Sequence, residues 1–186
     1  MRLRGKQQIL SVPGQSTRPT ASRVREAVFN IWQFEIQDCR WLDLCAGTGA
    51  MGAEALCRGA AVVVGVEHDR RACGIIRQNW QKLAQPSQQF RVLQIDALKG
   101  VESLRGQQFD RIYLDPPYAS ELYLPLLDAI TTHSLLSPEG QLAVESKKHK
   151  RLPSQVGSMQ VTQIRSYGRT EITFYQPFQN TQGAAL

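Results

Sequence analysis

The sequence predicts an α/β fold, in which a doubly wound, mostly parallel seven-stranded sheet carries an antiparallel terminal hairpin and an N-terminal helix. Strand and helix signals alternate along the chain, which is typical of a parallel sheet covered by helices on both faces. A glycine-rich turn containing Gly47, Gly49 and Gly52 joins the first strand to a helix. Near the C-terminus two extended runs follow one another through Gly168-Arg169, and these predict the hairpin.

The first element is an amphipathic helix from about residue 22 to 34, because Val24, Val28 and Ile31 recur at helical spacing. Thr20 or Ser22 is its expected N-cap. Apolar or β-branched runs predict strands at 41–45, 62–67, 90–95, 112–114 and 142–145. Further helices are predicted at 50–58, 69–83 and 121–132, and Asp69 is the expected cap of the second of these. The last two strands are the runs MQVTQIRSY and TEITFYQ.

Length and composition indicate one α/β domain with a sizeable core. The 186 residues contain no apolar run near the ~18 residues that cross a membrane. The four cysteines form no CxxC pair, which favours reduced thiols in a cytoplasmic protein and predicts no metal site. We expect a monomer with a basic arm over residues 1–21, a main domain over 22–176 and a disordered tail over 177–186.

The excess of positive charge lies at the N-terminus. The net charge is +6, and the basic residues before Glu26, with no acidic residue among them, are Arg2, Arg4, Lys6, Arg18, Arg23 and Arg25. From Glu26 onward the chain balances 16 basic against 16 acidic residues. Such a segment is typical of an organelle transit peptide or of an arm that contacts RNA or DNA, and composition alone leaves both open.

The turn LDLCAGTGAMGAEAL matches the pattern G-x-G-x-x-G between a strand and a helix. Such a turn lets a ligand approach the backbone near a helix N-terminus. Glu67 ends the next predicted strand, where a carboxylate can accept both hydroxyls of a ribose. These features are shared by dinucleotide sites and S-adenosylmethionine sites.

Three features favour S-adenosylmethionine over a dinucleotide. Asp43 lies four residues before Gly47, where its carboxylate would repel a pyrophosphate but attract an ammonium or a sulfonium. Asp96 ends the third strand, where it can accept a hydrogen bond from an adenine amine. The fourth strand ends in the sequence DPPY, which hydride transfer does not need.

The DPPY sequence, Asp115 to Tyr118, has the groups needed to methylate an exocyclic amine of a nucleobase. Two consecutive prolines make a stiff corner. Asp115 and the carbonyl of Pro116 can accept hydrogen bonds from the amine, which localises its lone pair. The Tyr118 ring can stack on the base. The alternative is a turn that only ends the strand.

These features together resemble the class I S-adenosylmethionine-dependent amino-methyltransferases, which have a Rossmann-like fold. Four further segments narrow the resemblance: RPT at 18–20, RVREAVFN at 23–30, GAMGAEAL at 49–56 and YGRTEITFY at 167–175. They are similar to RsmD-type methyltransferases, which modify guanine N2 in 16S ribosomal RNA. The resemblance covers about residues 15 to 176.

The resemblance implies a catalytic role for Asp115, Pro116 and Tyr118. The residues expected to hold S-adenosylmethionine are Asp43, Ala46, Gly47, Gly49, Glu67, Asp96 and Ala97. The residues expected to contact RNA are Arg18, Thr20, Arg23, Pro117, Lys147 and Lys148. The implied partner is ribosomal RNA or an assembly intermediate of the small ribosomal subunit.

Three other functions remain open. A DNA adenine-N6 methyltransferase shares the DPPY sequence, although such enzymes usually carry an added recognition domain. A dinucleotide-binding oxidoreductase shares the glycine pattern. An RNA-binding module without enzymatic activity would not need DPPY beside a cofactor loop.

Overall fold

The computed structural model describes residues 22–118 and 120–178. The described helices are α1 Ser22–Ile31, α2 Ala50–Cys57, α3 Arg70–Leu83, α4 Ala97–Ser103 and α5 Tyr123–Thr132. The described strands are β1 Arg40–Leu44, β2 Val62–Glu67, β3 Gln89–Gln94, β4 Phe109–Leu114, β5 Leu136–Lys147, β6 Gln155–Val156, β7 Met159–Tyr167 and β8 Thr170–Pro177.

All eight of these strands form one sheet, in the order β3-β2-β1-β4-β5-β8-β7-β6. Strands β1 to β5 pair in parallel. Strand β8 pairs antiparallel with both β5 and β7. The predicted doubly wound sheet with a terminal hairpin is therefore confirmed. The chain order reverses on either side of β1, so the carboxyl ends of β1 and β4 flank the switch point where such sheets bind ligands.

The structure contains two elements that were not predicted from the sequence, α4 and β6. Helix α4 has only seven residues and buries only Ala97, Gly100 and Val101, which is too little for a periodic pattern to indicate. Strand β6 has two residues and exists because it pairs with Met159 and Gln160 of β7. Strand β5 begins at Leu136, earlier than the predicted start at residue 142. Its first residue pairs with Phe109 of β4, and the register then shifts before Arg111 pairs with Gln141.

The core consists of two apolar clusters, which we assign to the two faces of the sheet. One contains Trp32, Trp41 and Trp80 with residues from α1, α2 and α3. The other joins β4 and β5 to α4 and α5 through residues such as Val101 and Leu126. Each fully buried large apolar side chain contributes about 1.5–3 kcal/mol. The strands that end at the predicted site are therefore packed against apolar side chains on both faces of the sheet.

Two of the predicted segments extend beyond the described part of the chain. The basic arm over residues 1–21, with Arg18 and Thr20, lies outside the described residues. So does the predicted tail after Phe178. Among the residues that are described, no helix has both the length and the apolar character needed to span a bilayer.

Candidate active site

The glycine loop, residues 45–49, connects the carboxyl end of β1 to α2. Cys45, Gly47 and Gly49 have positive φ angles of 62°, 54° and 71°. A Cβ atom at Gly49 would lie 2.8 Å from a side-chain carbon of Ile76, so only glycine fits there. The Trp80 indole donates a hydrogen bond of 2.9 Å to the Gly49 carbonyl. The loop therefore has a fixed shape, in which the backbone is open to close approach by a ligand.

Glu67 ends β2 beside this loop and is nearly buried, with 7% of its surface exposed. One carboxylate oxygen accepts a hydrogen bond of 2.8 Å from the Gly47 amide. The other accepts one of 2.9 Å from the Asp69 amide and lies 3.1 Å from Nδ1 of His68. Glu67 thus ties the glycine loop to the end of β2, next to the position where the sequence predicts a ribose.

Asp43 lies beneath the glycine loop, on β1, with 2% of its surface exposed. Its Oδ2 atom accepts a hydrogen bond of 3.0 Å from the Gly52 amide in the first turn of α2. Burial raises the pKa of this carboxyl from 3.8 to about 8, against the opposing effect of the Gly52 hydrogen bond. A cation bound nearby would favour the ionised form.

Asp96 lies just after β3 and forms the N-cap of α4. Its Oδ1 atom accepts hydrogen bonds from the amides of Leu98, at 3.0 Å, and Lys99, at 3.4 Å. The Ile95 amide donates to the Glu67 carbonyl at 3.0 Å, which places Asp96 at the same sheet edge as Glu67. Asp96 is exposed, and the neighbouring Ala97 is buried.

Four carboxyl groups lie around Cys45 at the centre of this edge. Burial is the main cause that raises the pKa of the Cys45 thiol to about 12, and the charges of Asp115, Glu67, Asp43 and Asp96 raise it further. The acidic residues at this edge therefore come from β1, from β2 and from the residues that follow β3 and β4. In the described part of the chain, no cluster of three or more histidine, cysteine or acidic side chains could hold a metal ion.

The DPPY corner, Asp115 to Tyr118, follows β4 next to the glycine loop. The Asp115 amide donates to the Leu44 carbonyl at 3.3 Å, so the corner begins beside the last residue of β1. Asp115 and Tyr118 are half-buried, Pro116 is buried and Pro117 is exposed. The Ser120 amide donates to the Pro117 carbonyl at 2.8 Å and closes the turn. The structure thus brings the two predicted motifs together at the switch point.

The hydroxyl of Tyr118 forms hydrogen bonds with residues of two other strands. It donates to Oε1 of Glu145 at 2.9 Å and lies 3.0 Å from Oγ1 of Thr170. Glu145, on β5, is 4% exposed and also accepts a hydrogen bond from the hydroxyl of Tyr113. Burial raises the pKa of the Tyr118 hydroxyl above 10.0, which keeps it protonated at neutral pH.

Tyr123, in the first turn of α5, also contacts the DPPY corner. Its hydroxyl lies 3.4 Å from the Pro116 carbonyl and 3.3 Å from the Glu145 carbonyl. Sequence reasoning did not include Tyr123, Glu145 or Thr170 among the site residues. Two features of the sequence could have indicated them: Glu145 near the end of β5, and Thr170 within the segment YGRTEITFY.

Basic residues lie beside the DPPY corner on the loops that follow β5 and β7. Lys147 and Lys148 are exposed. The Lys148 amide donates to the Arg169 carbonyl at 2.8 Å, which joins the two loops. Nζ of Lys150 lies 4.3 Å from the centre of the Tyr123 ring.

One predicted RNA-contacting residue, Arg23, lies in α1. Arg23 is exposed in the first turn of α1, whose apolar residues belong to the cluster shared with α2 and α3. Arg25, two residues later, is buried and lies 3.7 Å from the Glu54 carboxylate. Arg25 therefore packs against α2 and is not part of an exposed basic surface.

Comparison with known proteins assigns the chain to a family. The model of the family described as "Conserved hypothetical protein 95" matches residues 2–176. The chain belongs to this family. The RsmD-type resemblance is confirmed by relatives with that function in their names. The protein called "Putative rRNA methyltransferase YlbH" from Bacillus subtilis is 32% identical over 168 residues, which are 89% of this chain and 91% of that protein.

Two further members have comparable similarity. "Ribosomal RNA small subunit methyltransferase D" from Escherichia coli is 30% identical over 159 residues, covering 86% of this chain and 79% of that protein. Among solved structures, "Putative methyltransferase yhhF from Escherichia coli" superimposes with a TM-score of 0.81 at 28% identity. That match covers 95% of this chain and 97% of the other.

Proposed function

We propose that this protein is an S-adenosylmethionine-dependent methyltransferase of small-subunit ribosomal RNA, and that it acts on N2 of a guanine. The observation that carries the proposal is the contact between the two motifs. The Asp115 amide, at the start of the DPPY corner, lies 3.3 Å from the Leu44 carbonyl, at the start of the glycine loop. A donor in the loop and an amine at the corner would therefore meet at one sheet edge. The names of the relatives support the methylation of ribosomal RNA, and the choice of guanine N2 rests on the RsmD-type resemblance.

The charge distribution favours S-adenosylmethionine over a dinucleotide. The carboxyl groups of Asp43, Glu67, Asp96 and Asp115 lie at the same edge of the sheet, within electrostatic reach of the Cys45 thiol. They would attract a sulfonium and an ammonium and repel a pyrophosphate. S-adenosylmethionine supplies an electrophilic methyl group when it is bound.

The residues that would hold the cofactor follow from their positions. Glu67 would accept hydrogen bonds from the ribose, and Asp96, beside Ala97, from the adenine amine. Ala46, Gly47 and Gly49 would supply the close backbone surface of the loop. Asp43 would hold the Gly52 amide and place negative charge beneath the ligand, since its Oδ2 atom is 3.0 Å from that amide.

The DPPY corner would activate the guanine amine. The amine nitrogen is a poor nucleophile because its lone pair is delocalised into the ring. Hydrogen bonds from its two N–H groups to the Asp115 carboxylate and the Pro116 carbonyl would localise that pair. The amine lone pair would form the new N–C bond as the S–C bond of the methyl donor breaks, which leaves neutral S-adenosylhomocysteine, and a proton would then pass from nitrogen to Asp115. The stiff prolines hold both acceptors in place, so much of the rate enhancement comes from orientation.

Recognition of RNA would use the surface around this corner. The Tyr118 ring would stack on the target base, which is worth about 1–3 kcal/mol, and the exposed Pro117 would contact the RNA strand. Lys147 and Lys148 would bind phosphates, as would Arg23 and, in the arm, Arg18 and Thr20. A substrate of this kind, whether free RNA or an assembly intermediate of the small subunit, implies a cytoplasmic enzyme. We expect it to act as a monomer.

The purified protein, offered labelled methyl donor with ribosomal RNA, immature small subunits or DNA, tests this function. We expect label in ribosomal RNA or in the immature subunits. Label in DNA alone would favour an adenine methyltransferase. Binding of NAD in place of the methyl donor, without transfer to any polymer, would favour a dinucleotide-binding oxidoreductase.

A further inference from the structure

The hydroxyl of Tyr118 is engaged by residues from the C-terminal half of the sheet. Glu145 and Thr170 lie on β5 and β8, which pair antiparallel, with Lys147 opposite Thr170. Glu145 is two residues before Lys147 and therefore shares a face of the sheet with Thr170. Their oxygens lie 2.9 Å and 3.0 Å from the Tyr118 hydroxyl oxygen. Two strands thus hold one side chain of the DPPY corner.

We propose that Glu145 and Thr170 are positioning residues that fix the Tyr118 ring for the target base, which makes the β7–β8 hairpin part of the catalytic apparatus. This inference rests on the proposed function and adds residues to it that lie outside the DPPY sequence. Glu145 and Thr170 engage Tyr118 through its hydroxyl, so the ring can stack on the target base. The hydroxyl orients the ring and takes no part in proton transfer.

The burial of Glu145 supports a role beyond stability. A carboxylate that is 4% exposed loses most of its hydration. An apolar side chain at this position would fill the core at lower cost, as is general for buried charges. Glu145 instead accepts hydrogen bonds from the hydroxyls of both Tyr113 and Tyr118. Hydrogen bonds to a carboxylate are stronger than those to a neutral acceptor, which suits a group that must hold a ring in one orientation.

The connection to the hairpin is also direct. Thr170 is the first residue of β8, directly after the turn between β7 and β8. The same turn is held to the loop after β5 by the hydrogen bond from the Lys148 amide to the Arg169 carbonyl. Hydrogen bonds therefore connect the loop after β5 to the hairpin turn, and the adjacent Thr170 to Tyr118.

A double-mutant cycle between Tyr118 and Thr170 tests the proposal. Tyr118→Phe keeps the ring and removes the hydroxyl, and Thr170→Val keeps the shape and removes the partner. We expect each single variant to lower kcat for RNA methylation about fivefold, equivalent to about 1 kcal/mol at 1.4 kcal/mol per decade. Because Thr170 acts through the hydroxyl, Thr170→Val should cause no further loss in the Tyr118→Phe background.

Two further variants separate positioning from folding. Glu145→Gln keeps an acceptor for one tyrosine, so we expect a loss of kcat with S-adenosylmethionine affinity unchanged. Tyr175→Phe is the matched control, since Tyr175 also lies on β8 and its hydroxyl donates to the Pro153 carbonyl at 2.7 Å, away from the corner. It should lower the melting temperature and leave kcat at the wild-type value.

Additive losses in the Tyr118 and Thr170 cycle would overturn the proposal, because Thr170 would then act by another route. Wild-type kcat in both Thr170→Val and Glu145→Gln would overturn it as well. These outcomes are distinct from a failure of the proposed function, in which the wild-type protein itself would transfer no methyl group to RNA.

Discussion

At the scale of single residues, we propose that the carboxyl groups divide into those that shape the cofactor site and the one that meets the substrate. Glu67 and Asp43 bind backbone amides of the glycine loop and of α2. Asp115 instead begins the DPPY corner and is half-buried. Loss of a cofactor-binding carboxylate should therefore weaken binding of the donor, whereas loss of Asp115 should slow the transfer step.

Asp115→Ala should lower kcat for RNA methylation by at least about 100-fold, since a positioned proton acceptor contributes about 10²–10⁴-fold. Its affinity for S-adenosylmethionine should stay close to that of the wild type. Asp115→Asn should retain more activity, because its amide oxygen still accepts one hydrogen bond. Single-turnover kinetics and calorimetric titration of the donor measure the two quantities separately.

Glu67→Ala is the complementary control, in which binding of the donor should weaken while the transfer step is largely kept. Removing a charged hydrogen-bond acceptor costs about 1.5–3 kcal/mol, so donor affinity should fall roughly tenfold to a hundredfold. The transfer rate at saturating donor should change much less. A slow Asp115→Ala variant that has also lost donor affinity would argue against the division of roles between these two carboxylates.

Asp43 should make the stability of the folded protein depend on pH. Burial raises the pKa of this carboxyl from 3.8 to about 8, so the folded protein holds the proton more tightly than the unfolded chain does. Its contribution to stability is therefore fully present below about pH 4 and is lost as the pH rises toward 8. In Asp43→Asn the free energy of unfolding should fall less between these pH values, by at least about 1 kcal/mol. Denaturant unfolding at several pH values measures this, and parallel curves for the two proteins would refute the linkage.

At the scale of elements, the glycine loop depends on close packing between α2 and α3. Trp80, on α3, is fully buried and its indole donates to the Gly49 carbonyl. A Cβ atom at Gly52 would lie 2.2 Å from the Trp80 ring, and one at Gly65 on β2 would lie 2.7 Å from it. Trp80 therefore fills a space that two glycines leave open, and its position fixes the loop above it.

Gly52→Ala should destabilise the protein by about 1–3 kcal/mol, as is usual for overpacking in a core. Displacement of Trp80 should also weaken binding of S-adenosylmethionine, because the indole holds the loop. Gly74→Ala is the matched control, since it lies in α3 with no atom within 4 Å of the added Cβ. That variant should be neutral or up to about 1 kcal/mol more stable. Thermal unfolding of both proteins checks the difference, and equal stabilities would contradict the packing account.

Local signals predicted most elements and the positions of both motifs. The cap at Asp69 was predicted because capping depends on adjacent residues, and its side chain accepts from the Ala72 amide at 2.7 Å. The partners of Tyr118 could not be predicted in this way. Glu145 and Thr170 lie 27 and 52 residues further along the chain, and only the pairing of β5 with β8 brings them to the corner. Helix α4 was missed because it is too short to show a period.

At the scale of the whole molecule, the topology of the sheet creates the active site. The glycine loop follows β1 and the DPPY corner follows β4, which are far apart in sequence but adjacent in the sheet. The terminal hairpin then adds β8 beside β5 and brings Thr170 to the same corner. The described residues thus place the glycine loop and the DPPY corner, the proposed sites for the donor and the amine, at one edge of the sheet.

The central claim is that this edge transfers a methyl group to N2 of guanine in ribosomal RNA. The most direct test is mass spectrometry of nucleosides from 16S ribosomal RNA, taken from a strain that lacks the native enzyme and treated with this protein and S-adenosylmethionine. We predict N2-methylguanosine at one position, and none after treatment with Asp115→Ala. Methylation of adenine or of any other base, or no methylated nucleoside with a protein that binds the donor, would contradict the account.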